Sequence, residues 1–284
     1  MQFSAFTDIL DRPFESALDA LAGLGLRCVD LRSKIGPDNV DTLRGQAARR
    51  AAEAIASRNL RVGCVASWGV NPMNGDYDPA DADYRQAMRE RTAHLAQLAE
   101  LLDAPSVRVY SFKRPIGEIT EQHRADNAAF LGELSAICAE RKRLLVIENE
   151  PPTLTATCAE LGDLMRRPVH ESLKINWDIV NGWRAGELPW APGVFDQIAG
   201  HVVHVHVKGA RAAPDGSFAT MAVPGQDDVP HAELLAALTR SGFDGIVTID
   251  PHYGQFAEAD KLTDVEEPVL EVVRQTLAYL QSVT

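Results

Sequence analysis

The chain has 284 residues, of which 45% are hydrophobic and 24% are charged. These proportions are those of a folded globular protein, and they exclude a disordered or collagen-like chain. The 28 lysines and arginines are outnumbered by 40 aspartates and glutamates, which gives a formal net charge of −12. A chain this acidic lacks the basic footprint of a phosphate-backbone binder, so we expect neither nucleic acid nor an anionic membrane as a partner.

The cysteines and the first residues bear on the cellular compartment. None of the four cysteines forms a C-x-x-C pair, so we expect reduced and mostly buried thiols. The first residues show no charged stretch followed by an apolar one, so no signal peptide is visible. No apolar run approaches the roughly 18 residues that a membrane helix needs. We therefore expect a cytoplasmic protein. The cysteines are Cys28, Cys64, Cys138 and Cys158.

Short β-like runs alternate with Ala- and Leu-rich amphipathic stretches along the whole chain. The predicted strands cover residues 2–6, 27–31, 61–67, 106–112, 144–148, 173–178, 202–208 and 245–250. The helices predicted between them cover residues 13–24, 42–58, 82–102, 122–141, 157–166, 231–241 and 265–282. This alternation implies parallel strands with right-handed crossovers. Eight such units predict an α/β fold, a single (β/α)8 TIM barrel that occupies residues 1–284 as one domain.

A doubly wound open sheet is the main rival architecture. It is disfavoured because no G-x-G-x-x-G turn follows the first predicted strand. Two long irregular segments, residues 68–81 and 209–230, follow the third and the seventh predicted strands. In a barrel these segments would lie over the mouth, where long βα-loops form the rim of an active site.

Four consecutive predicted strands, the fifth to the eighth, end in carboxylate, imidazole or ammonium groups. Residues two apart on a strand share one face, so the polar groups of each strand point the same way. Buried charges at strand ends are costly unless they are paired or bind a metal. A divalent-cation site at the barrel mouth is therefore predicted. The residues concerned are Glu148, Glu150, Asp178, His204, His206, Lys208, Asp250 and His252.

The predicted metal ligands are Glu148, Asp178, His206 and Asp250. Three oxygen donors and one nitrogen donor suit Mn²⁺ or Mg²⁺, with Co²⁺ or Zn²⁺ as alternatives. His204 lies deeper on its strand and is predicted to contact the substrate or to support the ligands through hydrogen bonds.

At these residues the sequence resembles the xylose isomerase-like barrels, specifically the sugar phosphate isomerase/epimerase group. The resemblance covers almost the whole chain and implies a metal held by Glu, Asp, His and Glu from strands five to eight. It also implies that a sugar is isomerised or epimerised through an enediolate. The segments that carry it include Leu-Val-Ile-Glu-Asn-Glu (145–150), Asn-Trp-Asp-Ile-Val-Asn (176–181), His-Val-His-Val-Lys (204–208) and Asp-Gly-Ile-Val-Thr-Ile-Asp-Pro-His (244–252).

The chain departs from this family pattern at three positions. Asp250 stands where the family has its strand-eight glutamate. Gly209 stands where aspartate is frequent, and Asn181 where histidine is frequent. The shorter Asp250 puts its reach to a substrate proton in question, because small displacements of a catalytic group slow a reaction strongly.

The predicted chemistry is proton transfer next to a carbonyl group of an open-chain sugar or keto-polyol. Glu148 or Glu150 would take the proton, and Asp250 or His252 would return it. Lys208 would neutralise the carboxylates or donate to a substrate oxygen. The residues predicted to contact the substrate are Trp68, Arg108, His204 and Asn181.

Three alternatives to an isomerase or epimerase stay open. A metal-dependent dehydratase of a keto-polyol would use the same metal and base and would expel a hydroxyl group. A non-catalytic sugar-binding barrel is suggested by Asp250 and Gly209. A metal-dependent nuclease is the most distant alternative, because the acidic charge disfavours a grip on DNA. The sequence also leaves a homo-oligomer open.

Overall fold

Eight parallel strands form the central sheet, in the order β1-β10-β7-β6-β5-β4-β3-β2. The computed structural model describes residues 1–68 and 81–284. An isolated parallel bridge between Phe6 and Asp30 links the two edge strands, so the sheet nearly closes into the predicted TIM barrel. The strands are β1 (Gln2–Ala5), β2 (Cys28–Leu31), β3 (Arg61–Ala66), β4 (Ser106–Tyr110), β5 (Leu144–Glu148), β6 (Leu173–Asp178), β7 (Val202–Val207), β8 (Gly209–Ala212), β9 (Phe218–Ala222) and β10 (Ile246–Ile249).

Helices follow the barrel strands, and their first turns are fixed by side-chain caps where the chain offers them. Thr157 and Glu160 form a reciprocal capping box at the start of α5, which satisfies backbone N–H groups that have no partner within the helix. None of the helices in the described part of the chain combines the length and apolar character needed to cross a membrane. The helices are α1 (Phe14–Gly23), α2 (Gly45–Ala56), α3 (Ala82–Leu101), α4 (Glu121–Ala139), α5 (Cys158–Met165), α6 (Ile179–Arg184), α7 (His231–Arg240) and α8 (Pro268–Ser282).

The main hydrophobic core lies between the strands and the surrounding helices. Val205 and Val207 belong to it, which confirms that alternate residues of β7 face outward. Trp177 also faces outward from β6 and packs against Phe195, with ring centroids 4.9 Å apart. A second, smaller cluster that includes Phe6 and Val146 is separate from this core. Side chains therefore alternate as predicted, apolar toward the helices and largely polar toward the barrel axis.

A buried hydrogen-bonded network fills the lower part of the barrel. Asp30 accepts hydrogen bonds from Ser4 (3.1 Å) and from Thr248 (2.8 Å). The Nε2 atom of His204 lies 2.9 Å from Asp30 Oδ2 and 2.8 Å from Thr248 Oγ1. Gly63 leaves room for this network, because a Cβ atom there would lie 2.6 Å from Asp30 Oδ1.

The segment after β7 contains an antiparallel hairpin, β8 paired with β9, where the sequence analysis predicted only an irregular loop. That prediction was wrong for these residues because the short Gly- and Ala-rich strands have little intrinsic preference for β structure. Gly209 begins the hairpin, and a Cβ atom there would lie 2.5 Å from the carbonyl oxygen of Ala222. The indole N–H of Trp183 donates to the Gly216 carbonyl at 3.2 Å and so ties the hairpin turn to α6. The frequent aspartate of the family pattern would not fit at position 209.

The other long segment that was predicted to cover the mouth, residues 68–81, lies outside the described residues except for its two ends. Its first residue, Trp68, is 36% exposed.

We predict that all of the cysteine thiols are unreactive in the folded protein. The four are free and buried, and burial raises the pKa of Cys28 and of Cys138 to about 12. Because the thiolate is the reactive form, Ellman's reagent should titrate four thiols only after denaturation. The variant Ile116→Cys places a thiol at a fully exposed position and should react at once. Rapid reaction of a wild-type thiol in native buffer would contradict the prediction.

We predict that Gly63→Ala destabilises the protein by about 1–3 kcal/mol, the usual cost of overpacking a buried site. The added methyl group would contact Asp30 Oδ1 at 2.6 Å and Cys28 Sγ at 2.8 Å. Urea denaturation measures the change in the free energy of unfolding. Gly132→Ala is the matched control, because its nearest neighbours lie 3.8 Å or farther from the added atom. If Gly63→Ala and Gly132→Ala were equally stable, the hydrogen-bonded network would accommodate the added methyl group without loss of stability, and the prediction would be wrong.

Candidate functional site

The predicted site residues converge at the carboxyl ends of four neighbouring strands. Glu148 ends β5, Asp178 ends β6, His206 lies near the end of β7 and Asp250 directly follows β10. The strand register pairs Asp178 with His206. Each of the four side chains belongs to a residue that is at most 3% exposed. The barrel thus brings together residues that are more than one hundred positions apart in the sequence.

Glu148, Asp178 and His206 form a compact group. Their potential ligand atoms all lie within 4.8 Å of one another. His206 Nδ1 lies 3.0 Å from Glu148 Oε1 and 3.7 Å from Asp178 Oδ2. Two carboxylates and an imidazole are a donor set that suits a divalent cation.

Two buried oxygen atoms of this group support such a cation. Glu148 Oε2 and Asp178 Oδ2 accept no hydrogen bond of normal geometry from the described residues. Cationic groups lie beside them nevertheless: Arg108 Nε is 3.1 Å from the first and Lys208 Nζ is 2.6 Å from the second. A buried carboxylate oxygen without a hydrogen bond is costly unless a cation offsets its charge. Arg108 and Lys208 offset part of this charge, and the two carboxylates and the imidazole are a donor set that fits a divalent metal ion held by Glu148, Asp178 and His206.

The charged side chains of the compact group and its surroundings shift the pKa values of Glu148 and His206. Burial opposes the ionised form of Glu148, but His206 and Arg108 outweigh it and hold the pKa of this carboxyl well below its usual range. Burial likewise opposes protonation of His206, but the neighbouring carboxylates raise the pKa of its imidazole to about 9. Glu148 is therefore ionised at neutral pH and available as a ligand.

Asp250 lies apart from this group and is surrounded by cationic side chains. Its Oδ2 atom is 3.0 Å from His252 Nε2, 3.7 Å from Lys208 Nζ and 3.8 Å from Arg32 Nη1. Burial opposes its ionisation, but these neighbours hold the pKa of the carboxyl well below its usual range. The predicted ligand set therefore divides in this structure into a compact group of three residues and a separate aspartate.

Lys208 is buried between the two parts of the site. Its residue is only 2% exposed, and its ammonium lies near Asp178, Asp250 and the Asn181 Oδ1 atom. Burial opposes its charge, but the carboxylates raise its pKa above the usual range. The first of the two roles predicted for Lys208, neutralising the carboxylates, agrees with this position.

Glu150 lies at the rim of the site, next to the compact group. Asn181 Nδ2 donates a hydrogen bond to Glu150 Oε2 at 2.8 Å and another to the Asn149 carbonyl at 3.0 Å. Burial raises the pKa of Glu150 to about 7, against the opposing charge of Lys208. A carboxyl with such a pKa exchanges protons near neutral pH.

The predicted substrate contacts lie at different depths. Trp68 is exposed at the mouth, and the guanidinium groups of Arg32 and Arg108 lie 5.3 Å and 5.5 Å from its ring centre. Arg108 is 1% exposed and is paired with Glu148. His204 is also 1% exposed and is engaged by the Asp30 network, so its position favours a supporting role over contact with a substrate.

Two residues of the site escaped the sequence analysis. Arg32 follows β2 and binds Asp8 through its Nε and Nη2 atoms at 2.9 Å and 3.1 Å. The side chain of Asn149 makes two hydrogen bonds with the backbone of Asp178. Its Nδ2 atom donates to the Asp178 carbonyl oxygen (2.8 Å), and its Oδ1 atom accepts from the Asp178 N–H (2.7 Å). Arg32 could have been identified from the sequence, because it is a charged residue directly after a predicted strand. Only the fold shows the backbone target of Asn149.

Known proteins resemble this chain over most of its length. A curated 3-dehydroshikimate dehydratase of Bacillus anthracis is 20% identical over 269 residues, 93% of this chain and 86% of that protein. The crystal structure of D-psicose 3-epimerase with D-tagatose from Clostridium cellulolyticum H10 aligns with a TM-score of 0.77 at 14% identity, covering 100% of this chain and 99% of the other. A xylose isomerase-like TIM barrel protein from Mycobacterium smegmatis in complex with magnesium aligns with a TM-score of 0.75 at 13% identity. The alignment covers 99% of this chain and 96% of the other.

The family model described as xylose isomerase-like TIM barrel matches residues 18–282. This range contains every candidate site residue named above. The eight-stranded parallel barrel agrees with that match. The chain belongs to the xylose isomerase-like TIM barrel family.

Proposed function

We propose that this protein is a divalent-metal-dependent enzyme that moves a proton next to a carbonyl group of a sugar or keto-polyol. The observation that carries the proposal is the compact group of Glu148, Asp178 and His206, with all ligand atoms within 4.8 Å, at the barrel mouth. TIM barrels carry their active sites at this end. The metal, Mn²⁺ or Mg²⁺ before Co²⁺ or Zn²⁺, would act as a Lewis acid that stabilises negative charge on substrate oxygens.

Glu150 is the proposed general base. Its Oε2 atom is held by Asn181 at 2.8 Å, and no described residue donates a hydrogen bond to its Oε1 atom. The residue is half-buried at the edge of the compact group. A carboxylate with one oxygen fixed and the other open can take a proton from a bound substrate. Trp68, exposed at the mouth, is the proposed wall against which the sugar lies.

Asp250 is less suited to return a proton from the opposite side. Its three neighbours, the Lys208 and Arg32 cations and the His252 imidazole, stabilise its ionised form and so weaken it as a base. One base can carry a proton between two adjacent carbons on the same face of an enediolate, whereas an epimerisation with inversion needs a second group. The arrangement therefore favours a sugar isomerase over a two-base epimerase.

We predict that Glu150→Gln lowers the turnover of a responsive ketose or keto-polyol by about 10²–10⁴-fold, the usual contribution of a general base. The variant should bind Mn²⁺ as the wild type does, because Glu150 lies outside the compact group. Uptake of solvent deuterium at the carbon next to the carbonyl measures the proton transfer. Treatment with a chelator should abolish it, and added Mn²⁺ should restore it. A wild-type protein that binds the sugar and never exchanges the proton would instead be a sugar-binding barrel.

A dehydratase of a keto-polyol is the second candidate, and His252 favours it. The His252 side chain is 24% exposed and its Nε2 atom lies 3.0 Å from Asp250. Its Nδ1 atom lies 3.3 Å from Gln255 Nε2, and once that exposed contact is exchanged for a substrate the imidazole could protonate a departing hydroxyl group through Nδ1. The dehydratase among the similar proteins agrees with this chemistry.

Product analysis separates the two candidates. We expect an isomerase to give a product of unchanged mass and to keep at least about a tenth of its activity when His252 is replaced by glutamine. A dehydratase would give a product lighter by one water molecule, and His252→Gln would then slow it by about 100-fold or more. Mass spectrometry of products formed in H₂O and in D₂O decides between these outcomes. A product that has lost water would refute the isomerase.

A further inference from the structure

Lys208 lies between the two carboxylates that the family pattern would place on one metal ion. Its Nζ atom is 2.6 Å from Asp178 Oδ2 and 3.7 Å from Asp250 Oδ2. The lysine extends from the end of β7 on the same face as His206, so the strand itself directs it into the site. An ammonium group in this position carries positive charge to the edge of the compact group.

Asp250 is engaged on its other sides as well. Arg32 Nη1 lies 3.8 Å from its Oδ2 atom, and Asp8 in turn holds Arg32 through two hydrogen bonds. His252 Nε2 contacts the same oxygen at 3.0 Å. Asp250 thus contacts three cationic or potentially cationic groups, whereas it is absent from the group of potential ligands whose atoms lie within 4.8 Å of one another.

We propose that the side chain of Lys208 shares Asp178 with the metal ion. Asp250 is then the counter-ion of Lys208 and Arg32 rather than a fourth ligand. The metal would have three protein ligands, Glu148, Asp178 and His206. This inference rests on the metal-dependent function proposed above, and it explains why the shorter aspartate is sufficient at position 250.

The arrangement follows from the balance of buried charge. Lys208 on one side of Asp178 and the metal ion on the other would together offset a carboxylate whose Oδ2 atom accepts no hydrogen bond of normal geometry from the described residues. Removing one member of a buried ion pair leaves its partner uncompensated, which is costly. Lys208 and Asp250 should therefore act as a pair: the loss of Asp250 leaves the charge of Lys208 uncompensated beside the metal site, and the additional loss of Lys208 removes that uncompensated charge.

A double-mutant cycle on Mn²⁺ affinity tests the pairing. Free and bound Mn²⁺ are measured by electron paramagnetic resonance on the metal-stripped full chain. We expect Asp250→Asn to weaken Mn²⁺ binding by no more than about tenfold, since it leaves an unpaired Lys208 near the ion. In the Lys208→Met background, Asp250→Asn should leave the affinity within about threefold of that of Lys208→Met alone, because the loss of Asp250 acts on the metal through Lys208.

Asp178→Asn provides the comparison for a true ligand. It should weaken Mn²⁺ binding by more than about 100-fold, and Lys208→Met should not rescue it. Lys208→Met alone should bind Mn²⁺ more tightly than the wild type, because a repelling charge is gone. Circular dichroism of each metal-stripped variant checks that it is folded, and Asp250→Ser is used if Asp250→Asn is not.

The outcomes distinguish this inference from the proposed function. If Asp250→Asn loses Mn²⁺ binding as severely as Asp178→Asn and Lys208→Met fails to rescue it, Asp250 is a ligand and the inference is wrong. The metal-dependent function would then stand with four ligands. If the wild type itself binds no Mn²⁺, Mg²⁺, Co²⁺ or Zn²⁺, the function fails, and the inference fails with it.

Discussion

The charged groups at the barrel mouth must be compensated inside the protein, and the rest of the site depends on this constraint. Glu148, Asp178 and Asp250 are each at most 3% exposed, so water cannot screen them. Removing one partner of such a buried pair typically costs about 3–5 kcal/mol. The chain meets the constraint with Arg108 beside Glu148 and with Lys208 between the two aspartates. Positive charge is thus built into the wall of the site.

The same constraint explains the separation of supporting from reacting groups. Asp30, His204 and Thr248 form a closed hydrogen-bonded layer below the mouth, where all three are buried. Glu150 and Trp68 lie above it, where solvent and small molecules have access. Asn181 links Glu150 to Lys208, because it donates a hydrogen bond to the former and accepts one from the latter. Depth along the barrel axis therefore separates groups that hold the site from groups that can meet a substrate.

The sequence was sufficient for the barrel, because the alternation of strands and helices follows from local periodicity. Strands β5 and β6 have the predicted bounds, and alternation along β7 correctly sent Val205 outward and His206 inward. The hairpin of β8 and β9 was missed because its short strands are rich in glycine and alanine, which are depleted in β structure. The partners of Asp250 were equally hidden, because Arg32 approaches it from the end of β2, at the other edge of the sheet.

The sequence by itself determined which strands carry chemistry, which residues share a face and which donor types reach the mouth, since these properties depend only on the two-residue repeat of a strand. The tertiary structure alone decided which charges meet. Arg32 and Asp250 are 218 positions apart, and only the near closure of the sheet through β1 brings their side chains to 3.8 Å. Whether a carboxylate is a ligand or a counter-ion depends on such long-range neighbours, because Coulomb energies in a dry interior change steeply over a few ångströms.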